Sequence, residues 1–213
     1  MRIKTTEGKR VLNMFALAVE KYDYFLLILP KNKALMQIEN LPNHYVYKPE
    51  TIEFITVVAE VCLFLENTGE MEKDEFIDKA IKILPLLYLK CNLLPTTDYE
   101  GDGYVEQFVG EDDYDFVCER IKNLLGEEDA FLEVFHPDIQ FSDTPIAAFI
   151  SENLADIYQE LKDLAANYQI GETSIMNDAI INCMESFKEH WGQKTLNALR
   201  ALHHVKYQSG SIE

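Results

Sequence analysis

Residues 49–67 read PETIEFITVVAEVCLFLEN, and this stretch decides the fold class. Pro49 suits the first position of a helix, where its missing N–H costs nothing. Glu50 and Glu53 put negative charge at the positive end of the helix dipole. Ile55, Val58, Cys62 and Leu65 recur at spacings of three and four, and Val57, Val61 and Phe64 widen that stripe into a mostly apolar cylinder. A helix apolar on so many sides belongs at the centre of a helical protein. Gly69 ends it.

Working outward, the pattern predicts a second helix over about 73–92, carried by Phe76, Ile77, Ala80, Ile81, Leu84, Leu87 and Tyr88. Pro85 lies inside it and predicts a kink near Ile81–Pro85. Residues 95–103 form a loop by composition, and Tyr104–Val109 reads as a short extended piece. A third helix is expected over about 111–125, with Glu111, Asp112 and Asp113 at its start and Gly126 past its end. Residues 128–135 read as one more short helix, and His136–Asp143 as a loop. Thr144 as N-cap and Pro145 at the first helical position open a helix from about 145 to 168. Gly171 closes that unit. The last helix runs from near Ser174 to about Tyr207, bent at Gly192. Gly and Pro together number only 16 in 213 residues, which fits long helices better than many short strands. The expected fold is all-α: an up-and-down bundle of four to five long helices plus short helices.

Charge and cysteines exclude several functions. The formal net charge is −18. Such a chain repels phosphate backbones, which argues against a broad nucleic-acid-binding face. The longest stretch free of Lys, Arg, Asp and Glu is Val11–Val19, far short of the roughly 20 apolar residues of a membrane span. Cys62, Cys91, Cys118 and Cys183 form no CxxC pair, so a zinc ribbon and a thioredoxin-type dithiol are excluded. Isolated cysteines at apolar helical positions fit a reducing cytoplasm.

Residues 1–35 differ from the rest. Seven Lys/Arg stand against three Asp/Glu there, a net of +4, which leaves −22 for residues 36–213. Arg2, Lys4, Lys9 and Arg10 before an apolar run, with Ala16-Leu17-Ala18 after it, imitate a signal peptide. Asn13 and Glu7 spoil the imitation. Two readings stay open: an N-terminal helix over about 9–29 packing on a body of 36–213, or an extension that precedes a start at Met36.

Two further stretches carry a resemblance. Ser151–Asp163 reads SENLADIYQELKD, and His190–His203 reads HWGQKTLNALRALH. Together they resemble an uncharacterised bacterial domain family with a DLADIYxDLK helix followed by an HWGxxxxxALRALH helix. PETIEFITVVAEVCLFLE and LPLLYLK are similar to it as well, so the resemblance spans about 48–207. It implies a small helical bundle and carries no assigned activity. Glu152-Asn153 and Gln159-Glu160 stand where the family pattern is more often acidic-acidic and basic-acidic.

Candidate chemistry begins with the 145–168 helix. Glu152, Asp156, Glu160 and Asp163 are spaced four, four and three, which stacks carboxylates along one side. Carboxylates on facing helices can hold Mg²⁺, and ENLADI resembles the metal-binding helix of all-α NTP pyrophosphohydrolases, although a second acidic ExxE helix is missing. The apolar stripe Ile150, Leu154, Ile157, Leu161, Leu164 and Tyr168 spans about 80°, and Asp156 and Asp163 lie roughly 120–140° from it. They face solvent or a second partner helix; a solvated acidic face is the commoner outcome for charge at this spacing. His136, Asp138 and Asp143 read as turn and cap residues rather than metal ligands. No GxSxG, HExxH, P-loop or GxGxxG occurs. Cys183 and His190 are seven residues apart, too far for a thiolate–imidazole pair, and Cys183 reads as core.

The last helix holds a contradiction. Its stripe Met176, Ile180, Cys183, Phe187 extends at the same angle onto His190, Lys194 and Asn197, before Ala198, Ala201 and Val205 resume it. Polar groups on a buried line need partners. Either Lys194 and His190 pair with carboxylates of the neighbouring helix, or the helix rotates near Gly192, or a polar pocket opens between helices. Residues 188–206 carry Lys188, Lys194, Arg200 and Lys206 with three histidines against Glu189 alone. Antiparallel packing of the last two helices would set Lys194 and Arg200 opposite Glu152, Asn153 and Asp156, both roughly 22–27 Å from the turn. The candidate polar cluster is therefore Glu152, Asp156, Glu160, His190, Lys194, Asn197, Arg200 and His203, as a salt-bridge network or a small anionic-ligand site. A secreted helical domain that uses the N-terminal segment is one reading, and two functions compete with it. One is a non-catalytic interaction module whose partner is a protein with a basic patch. The other is a Mg²⁺-dependent hydrolase of nucleotides or related phosphates, using the 152–163 carboxylates.

Overall fold

Ten of the eighteen side chains of the first helix are buried, so it needs neighbours on nearly every side. The computed structural model supplies them, and describes residues 44–95, 103, 105–133 and 146–208. The helices are α1 (Pro49–Glu66), α2 (Lys73–Asn92), α3 (Glu111–Leu125), α4 (Ile150–Ile170), α5 (Thr173–Ser186) and α6 (Gly192–Gln208). The fold is an all-α bundle. α4 packs on α1, α3, α5 and α6, while α2 closes the far side against α1 and α6. One core runs through it, with Phe54, Leu65, Phe76, Leu84, Leu154, Ile157, Leu161 and Trp191 fully enclosed.

Local chemistry sets most boundaries. Pro49 opens α1, and Gly126 (φ 60°) and Gly171 (φ 80°) close α3 and α4 in backbone conformations that favour glycine. Pro85 is exposed on α2, which passes through it unbroken. Lys90 of α2 meets Glu53 of α1 at 2.5 Å, as an antiparallel pair joined by a short turn requires.

Three expectations are corrected. The described part of 128–135 is not an α-helix: Gly126–Asp129 is a 3-10 turn, and Ala130–Leu132 is a short strand, β1, paired antiparallel with β2, Ala147–Phe149. A run of eight residues gains little from helix formation alone, and pairing with a second strand satisfies its backbone instead. For the same reason the helix expected from 145 starts at Ile150. Its cap is remote. The buried Asp129 carboxylate accepts the Ser151 N–H and the Ser151 hydroxyl, both at 2.7 Å. Thr144, Pro145 and the 136–143 loop lie outside the described residues, as does the 1–35 segment.

The third correction concerns the last helix. It is interrupted by a π-helical turn at Phe187–Trp191, directly before Gly192. The wider turn accommodates one extra residue, so the buried line runs Cys183, Trp191, Thr195, Ala198, Leu202 and not Cys183, His190, Lys194, Asn197. That rotation removes the contradiction read in the sequence. The polar residues lie on the flank of the line, and Trp191 takes the core position.

Candidate functional site

The π turn aims the flank of α6 at the polar side of α4. Asp156, on α4, is part-buried there. Lys194 Nζ lies 3.0 Å from Asp156 Oδ2, and His190 Nε2 lies 4.0 Å from the same oxygen. From α3, the Tyr114 hydroxyl donates to Asp156 Oδ1 at 3.1 Å. Burial, then the neighbouring Asp156 charge, pushes the Tyr114 pKa upward, so the phenol stays a donor. Asn197 Nδ2 donates to Glu133 Oε2, just after β1, at 3.0 Å, and Gln193 Nε2 donates to Asn197 Oδ1 at 3.0 Å. The result is a polar seam where α3, α4, α6 and the hairpin meet.

The eight expected site residues therefore do not converge. Asp156, His190, Lys194 and Asn197 line the seam. Glu152 is exposed one turn before Asp156. Glu160 borders a cavity of about 280 Å³ between α4, α5 and the 105–110 segment, beside Glu106 and Asp163. Arg200 and His203 are on another side of α6, in a groove against α2.

The carboxylates of α4 have separate tasks. Asp163 Oδ1 accepts the N–H groups of Phe108 and Val109 at 2.7 and 2.9 Å. Asn167 holds the same segment through Glu106, accepting its N–H at 3.3 Å and donating to its carbonyl at 2.8 Å. Burial raises the Asp163 pKa, against the pull of those two N–H donors. Elsewhere Glu66 Oε1 accepts from Tyr158 at 2.9 Å and Lys162 at 2.6 Å. Among the described residues, no group of three or more His, Cys, Asp or Glu side chains could hold a metal ion. The thiols are poor nucleophiles, since burial raises Cys62 and Cys91 to about 12 and lifts Cys183 well above its ordinary value.

Sequence reasoning missed Tyr114, Asp129, Glu133 and the clamp that Asp163 and Asn167 place on residues 105–110. Each contact joins elements distant in sequence, and no local spacing announces it. A remote signal existed for one: Tyr114 is an aromatic in the otherwise acidic first turn of α3.

Comparison with known proteins adds identity but no chemistry. The crystal structure of protein BF1032 from Bacteroides fragilis is similar at 38% identity and a TM-score of 0.70, covering 80% of this chain and 100% of that one. No curated protein matches. Among the described residues, no helix is long and apolar enough to cross a membrane. Residues 45–208, from the turn before α1 to the end of α6, match a family described as a domain of unknown function, and the chain belongs to that family, DUF5063.

Proposed function

We propose that the protein is a non-catalytic interaction module of the cytoplasm, and that its partner is a protein with a basic patch. The observation that carries this reading is the outer face of α3. Glu111, Asp112, Asp115, Phe116 and Glu119 fall on one side of that helix and are all exposed. Phe116 is 46% exposed with Arg120 stacked over it, 3.9 Å from the ring centroid. An acidic face around an exposed aromatic offers charge for steering and one apolar anchor for affinity. The core side of α3, Val117, Ile121 and Leu125, is buried, so the acidic side is free of any packing duty.

Four free cysteines, three of them buried, suit a reducing compartment. The hydrolase reading needs carboxylates that converge. Those of α4 diverge toward Lys194 and Tyr114, the 105–110 backbone and solvent. Two experiments test the proposal. Titration calorimetry with Mg²⁺ and Mn²⁺ and a nucleotide hydrolysis panel are expected to be silent; saturable heat with turnover would restore the hydrolase. Cross-linking in the source cells is expected to capture a basic protein that is lost when Glu111, Asp115 and Glu119 are changed to Lys. Capture unaffected by that reversal would remove α3 as the docking face.

A further inference from the structure

An apolar groove of about 640 Å³ lies between α2 and α6, on a different side of the bundle from the acidic face of α3. Ile81 and Pro85 of α2 face Leu196 and Tyr207 of α6 across it, and Arg200 and His203 add the polar atoms. The surface continues along α2 through the exposed Leu89 and Leu93. A row of large side chains shared by two neighbouring helices is an unpartnered packing surface, unlike scattered single exposures. Its charge is unusual for this chain. Residues 36–213 carry −22, yet no carboxylate lines the groove. Arg200, and Lys82 on the exposed side of α2, have no ion-pair partner among the described residues, and Asp78 close by is already held by Lys206.

We propose that the acidic face of α3 docks in this groove on a second copy of the chain, so that copies associate head to tail. The inference rests on the reading of α3 as a docking face, and it names the partner. Three observations choose this occupant. First, the charges are complementary and unspent on both sides. Glu111, Asp112, Asp115 and Glu119 have no basic partner among the described residues, and Lys82, Arg200 and His203 of the other copy supply one. The chain as a whole is acidic, yet this groove is the basic patch that α3 calls for. Second, the apolar parts fit. Phe116 stands 46% exposed among those carboxylates, and Phe108, 44% exposed, lies just before the helix. The groove offers an apolar lining for such an anchor. The 15 residues of α3 span about 22 Å and the 17 of α6 about 26 Å, so one helix can lie along the other. Third, a single molecule cannot close this contact on itself. α3 packs on α4 and α1 with its acidic side outward, whereas the groove is walled by α2 and α6. The contact is therefore heterologous, and every copy added leaves one α3 face and one groove open. Two aromatic anchors and a few charge pairs place it with transient interfaces of under about 1,200 Å². Each addition also brings a formal charge of −18, which opposes long growth.

The test is sedimentation velocity of the full chain over a range of concentrations, at about 0.15 M salt so that overall repulsion is screened. The mean mass of the parent should rise with concentration and pass that of a dimer. Two variants each remove one surface. Glu111→Lys, Asp115→Lys, Glu119→Lys loses the acidic face, and Leu89→Glu, Leu196→Glu, Arg200→Glu loses the groove. Each alone should stay monomeric. Mixed in equal amounts they should form a one-to-one dimer and nothing larger, because one brings an intact groove and the other an intact α3. A parent that stays monomeric at every concentration would overturn the proposal. So would variants that assemble as the parent does, or a parental dimer that the mixture does not restore. Should a variant not melt cooperatively, Phe116→Ser or Arg200→Gln takes its place. Failure here is distinct from failure of the α3 reading. A monomeric parent whose cellular cross-link is still lost on reversal of α3 keeps that helix as a docking face for a different protein and removes only the self-contact.

Discussion

The indole N–H of Trp191 donates to the backbone carbonyl of Cys183 at 2.9 Å, across the full width of the π turn. The Phe187 N–H is shared between the carbonyls of Cys183 and Met184. The Cys183 carbonyl therefore accepts from two donors, the Phe187 N–H and the indole. The indole is fully buried and packed edge-on against Phe187, with ring centroids 4.6 Å apart.

Trp191→Ala should accordingly cost about 3–5 kcal/mol. Trp191→Phe keeps most of the volume and should cost less, with a hydrogen bond worth about 1 kcal/mol still lost. Denaturant unfolding measures both. The native tryptophan emission should be blue-shifted, and a solvent-like maximum would contradict the burial.

Gly192→Ala should destabilise, although alanine is ordinarily the better helix residue by about 1 kcal/mol. An added Cβ would stand 2.5 Å from the Phe187 carbonyl oxygen and 2.9 Å from its ring. Overpacking of that kind costs about 1–3 kcal/mol. A variant that gains stability would show that the turn can relax to a regular helix at no expense.

Lys194→Met and Arg200→Met should separate. Lys194 is paired with a part-buried carboxylate that keeps the Tyr114 hydroxyl, with His190 at 4.0 Å, once the ammonium is gone, so its loss should cost about 1 kcal/mol. Arg200, at the groove rim, should change the stability of the bundle by no more than about 0.5 kcal/mol. Equal effects, measured by thermal unfolding, would mean the seam contributes nothing specific.

What the sequence revealed follows from the range of the signals. α1, α2 and α3 were legible almost to the residue because proline, glycine and apolar spacing act within a few positions. The start of α4 was not, because its cap comes from Asp129, twenty-two residues away. The site was half legible. The antiparallel arrangement brings Lys194 to Asp156, yet a reading with a constant helical period could not assign Arg200 and His203 to the α2 groove. That assignment depends on the one-residue change of phase at 187–191, and short stretches of sequence carry no sign of a π turn.

The Asp163 carboxyl gives a pH signature with a definite sign. Its pKa is raised above 3.8 by burial, so the native state holds this proton at pH values where the unfolded chain has released it. Its contribution to stability is fully present below 3.8 and fades as pH rises through the native value. Asp163→Asn keeps an acceptor for the Phe108 and Val109 N–H groups and carries no charge. The variant should therefore compare best with the parent at neutral pH and lose that advantage on acidification. Paired urea titrations across this range check it, and the opposite trend would mean the N–H donors outweigh burial.

Deleting residues 1–35 should leave a cooperative melting transition. The core described above is built from residues 45–202, and the family match begins at residue 45. A loss of more than about 2–3 kcal/mol, or of cooperativity, would make the segment part of the core rather than a peripheral contact.

The π turn also says how this helix tolerates changes of length. Counted along its buried line, the stretch from Cys183 to Leu202 holds one residue more than a regular helix carrying the same line. Removing any one residue between Lys188 and His190 would let the chain close as an uninterrupted helix with Trp191, Thr195, Ala198 and Leu202 still facing inward. The turn is thus the form that a one-residue insertion takes when a helix absorbs it without rotating its far half. That addition widens the helix where Trp191 needs to reach back to Cys183, and the extra width and the indole's only hydrogen bond share one origin.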